Sequence, residues 1–322
     1  MNNQTPEYSV VIPSYNSGPI LEKTLQAVLK ETAGLQAEVL VVDDGSTDDT
    51  EQRVEDYPVR YFRKENGGPA SARNMGIQNA YGDIIVFLDS DCVPQPGWFK
   101  EMVAPLRDPQ ISGVKGIYIT RQKGMVPRFI HLEFMERYRM LHRKKFIDFV
   151  DTYSAAFRKD ALIDVGGFDE SFTKADNEDV DLSYKLARAG YKMVFQPKAV
   201  IEHTHPSNLR SYIKVKLSRA YWRIAVYNRH PNKAVKDSYT PQSLKLQIIA
   251  AGGIWAGLLI GLFSGNFVAL GVSAVVFLAL SLYFMYKVMK YDPLPALMAP
   301  FMLFIRASCF VAGISVGFVR HV

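Results

Sequence analysis

No charged residue occurs anywhere between positions 246 and 286, a run of 41 residues. As a single helix that run would be about 60 Å long, roughly twice the ~30 Å hydrocarbon thickness of a bilayer. Ser264-Gly265-Asn266, near its middle, is a turn signal. The pattern therefore predicts a helical hairpin with spans near 246–264 and 267–286. Basic residues precede the first span, and Lys287 and Lys290 follow the second. The positive-inside rule then puts both ends of the hairpin, and residues 1–243, in the cytoplasm. A multi-pass protein of the plasma (inner) membrane is expected. The first ten residues, MNNQTPEYSV, lack the basic and apolar regions of a secretory signal, so the C-terminal part is the expected anchor.

Residues 293–319 are also apolar but carry Arg306 at their centre. A third span is expected; the alternative is a re-entrant or interfacial segment, suggested by Pro293, Pro295 and Pro300. Arg306 is expected to snorkel or to pair with a neighbouring helix, with contact to a lipid phosphate as the sharper alternative.

The net charge of +6 narrows the rest. Residues 1–243 are nearly balanced, with 33 Lys+Arg against 31 Asp+Glu. Positions 203–236 hold eight basic residues and no acid, and 121–145 hold eight against Glu133 and Glu136. In 209–226, Leu209, Tyr212, Ile213, Leu217, Ala220, Tyr221 and Ile224 alternate with Arg210, Lys214, Arg219 and Arg223 near helical spacing. This predicts a basic amphipathic helix against the anionic leaflet. Residues 129–146 are a second such candidate. The basic residues adjoin an anchor and no nucleic-acid motif accompanies them, so nucleic acid is excluded as a partner. Two cysteines, Cys92 and Cys309, exclude a disulfide scaffold and suit a reducing compartment. The expected organisation is a cytoplasmic domain over 1–205, a basic juxtamembrane region over 206–243 and a membrane region over 244–322.

The first 120 residues alternate short apolar runs with helical periodicity. Strands are expected at 8–12, 38–42, 59–62 and 83–88, and helices at 20–29 and 70–80. Continuous apolar strands alternating with helices predict an α/β fold with a mostly parallel sheet covered on both faces. Three strands end in polar clusters: Pro13-Ser14-Tyr15-Asn16, Asp43-Asp44-Gly45-Ser46 and Asp89-Ser90-Asp91. Ligands of open α/β sheets bind at those carboxyl ends. Four carboxylates brought to one crevice repel each other unless a cation or hydrogen-bond donors attend them. Asp-x-Asp at a strand end suits a hard divalent cation carrying a diphosphate. Asn66-Gly67-Gly68-Pro69 allows close backbone approach, and Arg73 follows about one turn into the next helix. Singly each motif is ordinary loop chemistry; their order and strand-end placement give them weight.

Together these segments, with Gly166-Gly167-Phe168-Asp169-Glu170 and Asn177-Glu178-Asp179-Val180-Asp181-Leu182, resemble family 2 glycosyltransferases of the GT-A, Rossmann-like fold. The resemblance covers about residues 8–205. It implies that Pro13, Tyr15, Asn16, Asp43 and Asp44 hold the nucleotide base and ribose, with Gly68, Arg73, Asp89 and Ser90 also lining the nucleotide-sugar site. Asp91, with Asp89, would bind Mn²⁺ or Mg²⁺, and His203 or His205 is placed as a further metal ligand. Asp179 would be the general base that deprotonates the acceptor, with Glu178 beside it. The ordinary alternative for Glu178, Asp179 and Asp181 is that they are acids favoured by a helix N-terminus.

The resemblance implies an inverting transfer from a nucleotide sugar, UDP-linked by family weight, to a membrane lipid or lipid-linked saccharide. A homo-oligomer is compatible with it. A processive synthase is disfavoured, because Gln-x-x-Arg-Trp is absent. The rivals are a transferase acting on polyprenyl phosphate itself and a non-catalytic scaffold subunit of a membrane assembly.

Overall fold

The computed structural model describes residues 5–173 and 176–321. In chain order the strands are β1 (Tyr8–Ser14), β2 (Ala37–Asp43), β3 (Arg60–Arg63), β4 (Ile84–Leu88), β5 (Cys92–Pro94), β6 (Ile111–Ile119), β7 (Ser154–Arg158) and β8 (Lys192–His203). The helices are α1 (Gly18–Thr32), α2 (Thr50–Val54), α3 (Pro69–Asn79), α4 (Trp98–Val103), α5 (Met125–Leu141), α6 (Lys159–Asp164), α7 (Glu178–Arg188), α8 (Leu209–Arg229), α9 (Pro231–Val235), α10 (Gln242–Ser264), α11 (Val268–Val288), α12 (Pro293–Leu297) and α13 (Ala299–His321). Two compact units result. The first comprises residues 1–119 and 142–204; the second comprises 120–141 and 205–322.

The first unit is built on one eight-stranded sheet of order β3-β2-β1-β4-β7-β6-β8-β5. Strands β1 to β4 are parallel, as their unbroken apolar runs predict. Val10, Val11, Ile12, Leu40, Val41, Ile85, Val86 and Phe87 are completely buried, which requires cover on both faces. Beyond β4, strands β6 and β8 are parallel to each other and run with β1 to β4, so the sheet is mostly parallel. Two strands run against the rest, β7 antiparallel to β4 and β6 and β5 antiparallel to β8. The direction of a strand is set by its connections and not by its own residue pattern, so the apolar runs carried no sign of it.

Helix α3 lies close on β1. A methyl group built on Gly76 would stand 2.2 Å from Val11 Cγ1, in the rigid interior of the sheet. Gly76→Ala is therefore expected to destabilise the unit by about 1–3 kcal/mol through overpacking. Thermal denaturation would measure it, and an unchanged transition would show that β1 yields to the extra carbon.

In the second unit, α10 and α11 form the predicted hairpin. A left-handed Gly265 (φ 72°) caps α10. Helices α10, α11 and residues 299–319 of α13 are each long and apolar enough to cross a membrane. Arg306 has a definite partner. Its guanidinium donates to Glu133 Oε1 (2.6 Å) from α5 and to Gln247 Oε1 (2.6 Å) from α10. Lys216 Nζ of α8 donates to the other oxygen of Glu133 (2.9 Å). Burial alone would raise the Glu133 carboxyl, but Lys216, Arg306 and Arg137 hold it at about 2, so it stays ionised. Arg306 is thus an internal ion-pair partner, the usual fate of a charge in an apolar helix.

Candidate active site

The carboxyl ends of β1 and β2 are tied into one turn network. Asp43 is fully buried and accepts from the Ser46 amide (2.8 Å) and the Tyr61 hydroxyl (2.5 Å). Asp44 accepts from the amides of Gly67 (2.9 Å) and Gly68 (2.7 Å) and from Lys64 Nζ (2.9 Å). Asp44 therefore holds the Gly67-Gly68 loop in place, and Asp43 holds the turn after β2 against β3, roles the sequence did not disclose. Gly68 sits at φ 90°, and a Cβ there would meet the Thr173 carbonyl carbon and oxygen at 2.8 and 2.6 Å, so only glycine fits. Asn16 has φ 48° and its side chain accepts from the Thr47 amide (2.8 Å). Pro13 closes this end of β1 one residue before Ser14, and Tyr15 stands 52% exposed beside it.

Arg73 is buried between two carboxylates. It is 3% exposed, and its guanidinium donates to Asp89 Oδ1 (2.8 Å) and Glu178 Oε1 (2.7 Å). The Phe168 ring lies 5.6 Å beneath it. Phe168 is placed by Asn74, which donates to its carbonyl (2.9 Å) and accepts from its amide (2.9 Å). The Gly-Gly-Phe-Asp-Glu segment is thus a strap across α3, and Arg73 joins the Asp-x-Asp turn to the first turn of α7. The pairing has a physical basis: two carboxylates gathered at one place need a cation, and α3 supplies it.

Glu178 is buried at the start of α7. Its carboxyl is pushed up to about 7, chiefly by burial, with Arg73 opposing and the charge of Asp179 adding. A carboxyl with a raised native pKa binds its proton more tightly folded than unfolded. Its contribution to stability is complete below the usual 4.5 and declines as pH rises toward 7. Glu178→Gln is therefore expected to flatten the pH dependence of stability between about 4.5 and 7, by roughly 1–3 kcal/mol over the window. Parallel melting curves of the two proteins would test this; identical slopes would place the titration elsewhere.

Asp179 is half-buried and follows Asn177, which caps α7 in the left-handed region (φ 73°). Its Oδ1 accepts from the Val180 amide (2.8 Å). Ser183 anchors the turn, donating to the Asp179 carbonyl (2.7 Å) and accepting from the Val150 amide (2.9 Å). The carboxylate is thereby held at a fixed place in the first turn of α7.

Asp91 and His203 meet because β5 pairs with β8, with Cys92 opposite His203. His203 Nδ1 lies 3.5 Å from Asp91 Oδ1. Burial opposes ionisation of Asp91, yet His203 keeps its carboxyl below the ordinary value. Cys92 Sγ is 3.6 Å from Asp91 Oδ1 and 3.7 Å from His203 Nδ1, and donor atoms of the three residues lie within 4.8 Å of one another. Burial pushes the Cys92 thiol well up, which leaves it a neutral neighbour. The carboxylate is a donor that suits Mn²⁺ or Mg²⁺, and the imidazole is a borderline donor that Mn²⁺ accepts more readily than the harder Mg²⁺. His205 belongs to the second unit, where its ring stacks on Phe134 at 6.1 Å and its amide donates to Gln122 (2.7 Å). The Ser90 carbonyl accepts from the Thr24 hydroxyl (2.9 Å), which pins the Asp-x-Asp turn to α1. Trp98 is fully buried and donates to Ser154 (2.9 Å), so it is a core residue.

The first unit has known counterparts. Residues 9–166 match the model of the Glycosyl transferase family 2. A pre-mycofactocin glycosyltransferase of Mycobacterium tuberculosis is 30% identical over 274 residues, covering 80% of this chain and 55% of the relative. Glycosyltransferase AglE of Haloferax volcanii is 29% identical over 205 residues, covering 61% and 66%. The chain thus spans about half to two thirds of the length of these relatives. Among solved structures, the mannosyltransferase PcManGT of Pyrobaculum calidifontis, in complex with GDP-Man and Mn²⁺, superposes with a TM-score of 0.63 at 23% identity. That likeness covers 96% of this chain and 88% of the other. Glucosyl-3-phosphoglycerate synthase of Mycobacterium tuberculosis, with Mn²⁺, UDP and glucosyl-3-phosphoglycerate, gives 0.50 at 21% identity, over 69% and 80%. These likenesses carry the GT-A fold. Through residues 9–166 the chain belongs to glycosyltransferase family 2.

Proposed function

We propose that the protein is a membrane-associated, inverting glycosyltransferase that uses a nucleotide sugar, UDP-linked, and a divalent cation. The observation that carries this reading is the joining, within one unit, of Asp91 with His203 and of Asp89 with Glu178-Asp179 through Arg73. Asp91 and His203 would hold Mn²⁺ or Mg²⁺, which when bound neutralises the charge growing on the departing nucleoside diphosphate. Asp179 takes the proton from an acceptor hydroxyl. The acceptor oxygen then bonds to the anomeric carbon as the bond from that carbon to the diphosphate oxygen breaks. One displacement inverts the configuration, and no covalent enzyme intermediate is formed. Tyr15 offers an exposed ring on which a base could stack, and Asn16, Asp43, Asp44 and Gly68 shape that end of the cleft.

The acceptor in this reading is a membrane lipid or lipid-linked saccharide, because apolar helices long enough to span a bilayer share the chain with the transferase fold. Lys245, Lys287 and Lys290 at the base of the hairpin favour a cytoplasmic catalytic unit in the plasma membrane. The decisive experiment is release of nucleoside diphosphate from a panel of UDP- and GDP-sugars, with Mn²⁺, Mg²⁺ or chelator, in the presence of membrane lipid extract. Metal-dependent release with lipid extract supports the reading. Transfer to polyprenyl phosphate alone would reassign the acceptor, and silence with every donor would favour a scaffold role.

A further inference from the structure

Helix α13 is long enough to be a third span, but its neighbours put it at one face of the bilayer. Arg306 in its middle is bonded to Gln247, only five residues into α10. The turns on either side of it lie along the N-terminal half and the middle of α10: Phe304 stacks on Trp255 at 6.0 Å, Trp255 donates to Ser308 (3.0 Å), and Val311 lies 3.8 Å from where a Gly252 Cβ would stand.

Beyond Val311 the helix is covered by α8. A Cβ on Gly313 would stand 2.6 Å from that of Ala220 and 2.8 Å from the Leu217 carbonyl, and one on Gly317 would stand 2.8 Å from the Tyr221 carbonyl. Helix α8 is itself held at the N-terminal end of α10 at two points along its length. Lys216 shares Glu133 with Arg306, and Tyr227 lies beside Thr240, two residues before α10 begins. Gly313 and Gly317 contact α8 between those two points.

A helix crossing beside α10 would carry Gly317 about 16 Å deeper than Arg306. It would also bring Arg219 and Arg223 of α8 into hydrocarbon, where charges are strongly disfavoured. Meanwhile the far half of the hairpin is open: Leu259, Ile260, Leu262, Phe263, Val268, Val272 and Val275 are exposed.

We infer that α13 does not cross the bilayer but lies in its interfacial layer beside α8, with the apolar outer face of α13 resting on the hydrocarbon of an anionic leaflet. That outer face carries Val316, Phe318 and Val319, each more than half exposed. The exposed side chains of α8 include Arg210, Lys214 and Arg219, which suit the headgroups of the same leaflet. Two helices cross, α10 and α11. This rests on the hairpin being membrane-embedded and not on the chemistry of the catalytic unit.

The test is the sidedness of labelling by a membrane-impermeant maleimide in sealed vesicles. A cysteine is placed after Val322 on a short Gly-Ser linker, with Asn232→Cys and Asn266→Cys as markers for the base and the tip of the hairpin. The unsubstituted protein gives the background from Cys92 and Cys309, both buried. The C-terminal cysteine is expected to label from the same side as Asn232→Cys, and Asn266→Cys from the other. Labelling of the C-terminal cysteine on the Asn266→Cys side would overturn the inference. Labelling of all three from one side would instead remove the membrane crossing of the hairpin itself.

Discussion

Asp179→Asn is expected to lower kcat by roughly 10²–10⁴-fold, the range contributed by a positioned general base. The substitution keeps size and shape, and an amide oxygen can still accept from the Val180 amide, so the first turn of α7 should persist. Basicity alone is removed. Donor binding should change little, because the proton moves only as the acceptor attacks, and KM for the nucleotide sugar should stay within a few-fold. A helix-capping acid would behave otherwise. Replacing it would lower the melting temperature and leave kcat nearly intact, since a charge near a helix N-terminus is worth only about 0.3–1 kcal/mol. Steady-state kinetics and thermal melting on the same preparation separate the two roles. A kcat within about threefold of the unsubstituted enzyme, beside a lowered melting temperature, would take Asp179 out of the chemistry.

How far the sequence could reach is clearest at Arg73 and Arg306. Both were visible as isolated charges, and in both the partner was hidden. The parallel strands β1 to β4 and helices α1 and α3 are written in local periodicity, because burial on both faces demands an unbroken apolar run. The partners of Arg73 lie 16 and 105 positions away, and Glu133 lies 173 positions from Arg306. No spacing rule connects residues so far apart. Asp43 and Asp44 show the same limit at shorter range. They read as ligand-binding carboxylates at a strand end, and only the fold reveals Tyr61, Lys64 and two glycine amides already bound to them. The two histidines differ for a related reason. Alternation along a strand predicts that residues two apart point the same way, but β8 ends at His203, and His205 begins another unit.

The pairing of β5 with β8 gives Asp91 its meaning, and Asp91→Ala is the sharper test of that part of the site. It should lower kcat/KM by at least roughly 10²–10³-fold, the loss expected when an electrostatic stabiliser of the departing anion is removed. It should also abolish the rise in melting temperature expected of the unsubstituted protein with Mn²⁺, because an ion that binds only the folded state stabilises it by mass action. The second readout needs no turnover, so it distinguishes a lost ligand from any other cause of inactivity. His203→Ala should weaken the Mn²⁺ response while leaving measurable binding, since the imidazole is neutral and the carboxylate supplies the charge. Cys92→Ala should preserve the response, because a thiol held protonated by burial is a poor ligand. If Asp91→Ala kept the thermal response and Cys92→Ala lost it, the site would be a thiolate centre for a softer metal. Mn²⁺-dependent transfer would then need another carboxylate, and Asp89, shared with Arg73, would be the next to replace.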